Sequence, residues 1–133
     1  MAIHDVRCKD VARILSTGPK TIDEIGDIIH KIYPGIDPKG KWVREVLTKW
    51  NPLVVERNGR FELSDLGRAL ISLPGREGEE PTLEEKIFLI GIMMMDKVHR
   101  KIIGELITTG ASKHSDNWTV NRTKECLKEI GLI

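Results

Sequence analysis

The chain has 133 residues, of which 40% are hydrophobic and 31% charged. These are the proportions of an ordinary globular protein, not of a disordered or fibrous one, and the length suits one domain or a small domain with an extension. The formal net charge of +1 hides a division: residues 1–60 carry eleven Lys and Arg against eight Asp and Glu, residues 61–85 two against seven, and residues 86–133 eight against five. An acidic middle separates two mildly basic ends, and attraction to a phosphate depends on such local fields, not on the sum.

Asp5 to Ser16 reads as a first helix, with Cys8, Val11, Ala12 and Leu15 on one face. Gly18-Pro19 stops it. Thr21 and Glu24 form a T-x-x-E capping box that opens a second helix to Tyr33, carrying Ile22, Ile25, Ile29 and Ile32 on one side. Asp37-Pro38, an N-cap followed by proline, predicts a third helix to about Trp50. Its buried stripe is Val43, Val46, Leu47 and Trp50, and its outer face is Lys41, Arg44, Glu45, Thr48 and Lys49. Asn58-Gly59 between Leu53–Arg57 and Arg60–Leu63 is the strongest short-range signal for a hairpin, because a type I′ turn needs positive φ at both central residues. Ser64 caps a short helix from Asp65 to Leu73.

Residues 74–81 are polar and rich in Gly, Pro and Glu, which reads as a linker between a unit over 1–73 and a second over 82–133. Thr82 and Glu85 repeat the capping box and open a helix predicted to run to Ile107, with Ile87, Ile90, Met94, Val98 and Ile102 on or near one face. The Met93-Met94-Met95 run suits either an internal core or a dimer interface along helix 83–107. A loop from Ala111 to Asp116 leads to a last helix from about Thr119 to Ile130. The fold class expected is mainly α with a small β-hairpin.

The passage Asn58-Gly59-Arg60-Phe61-Glu62-Leu63-Ser64-Asp65-Leu66-Gly67-Arg68 resembles the wing-to-helix stretch of prokaryotic winged helix-turn-helix regulators. Thr119 to Ile133 is similar to a regulator's recognition helix with the Gly-Leu-Ile that leads into a wing, so that residues 82–133 are a helical extension or a degenerate second winged helix. The location expected is the cytoplasm, from the reading of the two cysteines as reduced thiols and the lack of a bilayer-spanning run or signal-peptide pattern. The resemblance implies a protein that binds double-stranded DNA, with its third helix entering the major groove. Carried onto this chain, Lys39, Lys41, Arg44, Thr48 and Lys49 face DNA from that helix, Arg57, Asn58 and Arg60 from the hairpin, and Asn121 and Arg122 from the second unit. Arg44 is the candidate for bidentate reading of guanine. Glu45 sits among these cations and opposes the reading unless it accepts from cytosine. A homodimer is expected, since regulators bind paired half-sites. Two other readings stay open: a protein-interaction scaffold of winged-helix type, which needs no basic helix, and the DNA-recognition part of a larger enzyme such as a nuclease, to which Phe61–Leu70 also bears a weaker likeness.

Neither catalysis nor a metal or cofactor is expected. His4, His30, His99 and His114 are scattered, no C-x-x-C or Gly-rich phosphate loop occurs, and the contiguous Ser115 and Asp116 beside His114 cannot form a triad with one another. Cys8 and Cys126 read as reduced, packed thiols. The apolar run Ile87–Met95 falls short of the ~20 residues that span a bilayer, and the first five residues lack the pattern of a signal peptide.

Overall fold

The structure, a computed structural model, describes residues 5–129 and 131–133. The expectation that the N-terminus carries no signal peptide therefore rests mostly on residues outside the described ones, as does the predicted end of the last helix at Ile130. The chain is mainly helical with a small three-stranded antiparallel sheet.

Helix α1 covers Cys8–Ile14 and tightens into a 3₁₀ turn over Leu15–Thr17. Strand β1, Lys20–Thr21, leads directly into α2, Ile22–Ile32. Thr21 closes the predicted box: its hydroxyl accepts from the Glu24 amide, and the Glu24 carboxylate accepts from the Thr21 amide. The next helix begins later than the sequence suggests. Asp37 makes a turn instead, accepting the Lys39 amide at 3.0 Å, and the helical segment is a π-helix over Trp42–Lys49.

The wider winding rearranges its faces. The Trp50 amide reaches back five residues to the Glu45 carbonyl at 2.9 Å, and the buried positions become Val43, Val46, Leu47 and Thr48. Trp50, expected in the core, is 50% exposed, whereas Thr48, expected on the outer face, is 1% exposed. The Thr48 hydroxyl is satisfied internally, donating to the carbonyls of Val43 and Arg44, so the inward turn leaves no orphan donor. A 3.6-residue period cannot foresee a winding that closes every fifth residue.

Asn51 anchors the start of the hairpin. Buried, it donates from Nδ2 to the carbonyls of Cys8 and Leu47 and accepts the Leu53 amide, which ties α1, the π-helix and the first hairpin strand at one point. Strands β2 (Val54–Arg57) and β3 (Arg60–Leu63) pair in register Val54 to Leu63, with Asn58 at φ 52° and Gly59 at φ 75° in the turn. Strand β1 adds to the other side of β3, giving the order β1-β3-β2. It has no counterpart among the expected elements, because two residues carry no alternation to detect. Ser64 caps α3, Asp65–Ile71, and also donates to the Pro52 carbonyl.

The C-terminal part is α4 (Leu83–Met95), α5 (Lys97–Thr109) and α6 (Asn117–Glu129). The single helix expected over 83–107 is divided at Asp96, which is extended and caps α5 by accepting the His99 amide. Its carboxylate also pairs with the His99 ring. These two contacts, the ring first, hold the Asp96 carboxyl below its usual range. A carboxylate depressed on folding adds stability above its unfolded pKa and loses it as pH falls through the lower folded value. Asp96→Ala is therefore expected to cost about 0.5–2 kcal/mol at pH 7, and markedly less at pH 3, measured by urea unfolding at both pH values. An equal cost at both would show that the charge of Asp96 does not matter.

Apolar residues from α1 to α6 form one continuous core, which includes Val11, Ile25, Leu47, Phe61, Leu89, Met93, Ile102 and Leu127. The polar segment 74–81 is drawn against it by charge. Lys9, 1% exposed, donates to the carbonyls of Arg76 and Glu79 and pairs with Asp10 at 3.1 Å. Asp10 accepts the Gly78 amide and the Tyr33 hydroxyl. Arg13 donates to the carbonyls of Ile71 and Leu73 and pairs with the fully buried Glu85 of α4 at 3.1 Å. Glu85 thus belongs to a capping box and to an ion pair with α1 at once. No helix among the described residues is long and apolar enough to cross a membrane.

Candidate nucleic-acid interface

The π-helix and the hairpin present the residues expected to meet DNA. Lys39, Lys41, Arg44 and Lys49 are exposed, as are Arg57, Asn58 and Arg60 around the hairpin tip. Thr48 does not join them, being buried against its own helix. The Asn58-Gly59 turn fixes the spacing of the two hairpin arginines, because Arg57 and Arg60 are directly paired across β2 and β3.

Half of these cations already have partners. Lys41 approaches Glu45 at 3.8 Å, one turn on. Arg44 swings back to Asp23 of α2 at 3.5 Å and donates from Nε to the Lys39 carbonyl. Arg57 pairs with Glu62 across the hairpin at 3.0 Å. Lys39, Lys49 and Arg60 make no ion pair among the described residues. The magnitudes decide what this means. Exposed ion pairs are worth about 0–1 kcal/mol, whereas a good bidentate contact to a base is worth about 1–3 kcal/mol. Lys41, Arg44 and Arg57 are 78%, 45% and 73% exposed, so breaking their intramolecular pairs costs less than a well-made contact to DNA returns. The Asp23–Arg44 pair also braces α2 against the π-helix in the free protein.

Asn121 and Arg122 lie elsewhere. Asn121 is exposed on α6. Arg122 is held among acids, 3.7 Å from Asp5 and 3.4 Å from Glu125. It faces a cavity of about 330 Å³ that also meets Glu79, Glu80 and Glu129. Surroundings of that sign disfavour phosphate.

The apolar side chains of the expected dimer helix are split between two helices. Met93 is fully buried, whereas Leu83, Ile87, Met94, Met95 and Val98 are 39–69% exposed. Trp118, in the first turn of α6, is 51% exposed. Both thiols are unbridged and buried, as their positions in the sequence suggest. Burial pushes Cys8 well above the ordinary thiol range and Cys126 up to about 11, so neither is a ready nucleophile near neutral pH. No cluster of three or more His, Cys, Asp or Glu suited to a metal ion occurs among the described residues.

Two residues beside this face escaped sequence reasoning. Arg7 lies over the ring of Trp42, 5.0 Å from its centroid, and is itself gripped by both carboxylate oxygens of Asp5. Nothing in the sequence joins position 7 to position 42, since the contact is made only when α1 packs on the π-helix. Comparison of the chain with protein-family models, with curated proteins and with solved structures returns no match.

Proposed function

We propose that residues 5–73 are a winged helix-turn-helix that binds double-stranded DNA, and that the chain acts as a transcriptional regulator. The observation that carries this reading is topological. Helix, short strand, helix, helix and hairpin succeed one another, β1 pairs with β3 to close a three-stranded sheet, and β2 packs against the π-helix. The π-helix is the candidate for the major groove, and the β2–β3 tip for the adjoining backbone. Lys39, Lys49 and Arg60 are ready for phosphates, while Lys41, Arg44 and Arg57 exchange one anionic partner for another.

Lys41→Glu with Arg44→Glu is expected to weaken binding to duplex DNA by about 1–3 kcal/mol for each base contact removed, and to lower the salt slope by about 0.9 for each phosphate contact removed. Fluorescence anisotropy at several salt concentrations measures both. Unchanged affinity with an unchanged slope would remove the π-helix from the interface.

The pairs Lys41–Glu45, Arg44–Asp23 and Arg57–Glu62 also favour a second reading, in which this face meets another protein and its charges are balanced in advance. A wild-type chain with no salt-dependent affinity for DNA that retains a protein partner through the same face would support it.

A further inference from the structure

Helix α4 is apolar on every side beyond its first turn. From Ile87 to Met95 it carries no charged or polar side chain. Leu89, Ile92 and Met93 are buried, and Ile90 is only 9% exposed beside them. On the opposite side, Leu83, Ile87, Gly91, Met94 and Met95 recur at the spacing of one helix face, and the four side chains are 39–69% exposed. A helix that is apolar all round belongs in an interior, and a monomer rarely leaves so continuous an apolar strip to water. The strip ends in opposite charges. Glu84 lies on it in the first turn of α4 and is exposed. At the other end Arg100 donates to the Met94 carbonyl at 3.5 Å, which places its guanidinium beside the last turn, and Lys97 is exposed at the start of α5. Neither Glu84 nor Arg100 has an ionic partner among the described residues.

We infer that α4 is the contact between two copies of this chain, packed antiparallel about a two-fold axis near Leu89. A two-fold contact uses the same strip on both copies, so charge decides its direction. In the antiparallel sense Leu83 meets the second copy's Met95, Ile87 meets its Gly91, and Glu84 reaches the Met94 end, where its Arg100 stands. The parallel sense sets Glu84 against Glu84 and Arg100 against Arg100, which costs energy at both ends. Gly91 has open space at its Cβ position, which admits Ile87 and lets the two helices approach closely. The charges also favour a second copy over a membrane surface, which calls for a basic face and not for ends of opposite sign. The pairing does not rest on the DNA reading. Combined with it, one assembly carries two π-helices and two hairpins, as paired half-sites require.

Sedimentation equilibrium of the whole chain without DNA, over a wide range of concentration, is expected to show a monomer–dimer equilibrium. Ile87→Glu, at a site 58% exposed in the single chain, is expected to leave the far-UV circular dichroism unchanged and to weaken the dimer about a hundredfold. Glu84→Arg and Arg100→Glu are each expected to weaken it about tenfold, and the two together to restore it. Cross-linking reads the direction. Chains carrying Ile87→Cys or Gly91→Cys are oxidised alone and mixed, and the native Cys8 and Cys126 are buried and do not compete. Antiparallel packing yields a disulfide chiefly in the mixture, whereas parallel packing joins two Ile87→Cys chains and would overturn the arrangement. A chain that stays monomeric at every concentration refutes the pairing, and if it then sediments with phosphatidylglycerol vesicles the strip meets a membrane instead. A dimer that Ile87→Glu leaves intact refutes it too, since the contact then lies elsewhere. None of these results touches the DNA reading, which anisotropy on the same chains tests separately.

Discussion

Replacing Glu85 by alanine is expected to destabilise the protein by about 3 kcal/mol, near the lower end of the ~3–5 kcal/mol typical for breaking a buried ion pair from one side. Glu85 is fully buried, and its two oxygens have different partners. Oε1 accepts the Thr82 amide and completes the box at the start of α4, while Oε2 accepts from Nε and Nη2 of Arg13 on α1. Alanine removes the cap and strands a guanidinium that is only 8% exposed. The loss is held toward the lower end because Arg13 keeps the carbonyls of Ile71 and Leu73. Glu85→Gln separates the two roles, since an amide oxygen can still accept from Thr82 but carries no charge for Arg13. Its cost is expected to fall between wild type and alanine. Urea unfolding followed by tryptophan emission reads both values. It also asks whether Trp42 and Trp50 on one side and Trp118 on the other report the same transition, as one core joined through Lys9, Asp10, Arg13 and Glu85 requires. A loss for Glu85→Ala below about 1 kcal/mol, in the range of exposed pairs, would mean that the network does not bind the two halves.

That network marks the boundary of what the sequence could say. Features specified within four residues were legible: both capping boxes, the positive φ at Asn58 and Gly59, and the Ser64 cap all lie where short-range chemistry puts them. Features that depend on partners far along the chain were not. Segment 74–81 reads as a linker because none of its side chains can enter a core, yet its backbone is what Lys9 and Asp10 grip. The same limit applies at the interface. The cations were visible as residue types, but the pairing of Arg44 with Asp23 and of Arg57 with Glu62 belongs to the packed structure. Thr48 and Trp50 exchanged places for a different reason. An α-helical period puts Trp50 inside and Thr48 outside, whereas the segment winds more widely and reverses them. The break at Asp96 had a signal that hydrophobic periodicity overrode, namely an aspartate able to cap a helix in the middle of an apolar pattern.

Gly26 offers the second large effect, and the sign is the informative part. It lies inside α2, where alanine ordinarily stabilises a helix by about 1 kcal/mol relative to glycine. A Cβ at Gly26, however, would collide with the Pro38 carbonyl oxygen, and the obstacle is backbone, which cannot rotate away. Overpacking of this kind costs about 1–3 kcal/mol and sometimes more, so sterics outweigh propensity and Gly26→Ala is expected to destabilise by about 1–2 kcal/mol net. Gly104 of α5 supplies the contrast, with nothing within 4 Å of its Cβ position, so Gly104→Ala is expected to stabilise the chain. The clash also has a direction. Relieving it is expected to push the turn at Pro38 away from α2, and with it Lys39 and Lys41. Gly26→Ala should therefore weaken DNA binding beyond what partial unfolding explains, whereas Gly104→Ala should leave affinity unchanged. Thermal unfolding and anisotropy on the same two variants measure both effects. If Gly26→Ala proves as stabilising as Gly104→Ala, α2 does not rest on the Pro38 carbonyl, and the spacing of α2 from the proposed recognition helix must be set by other contacts.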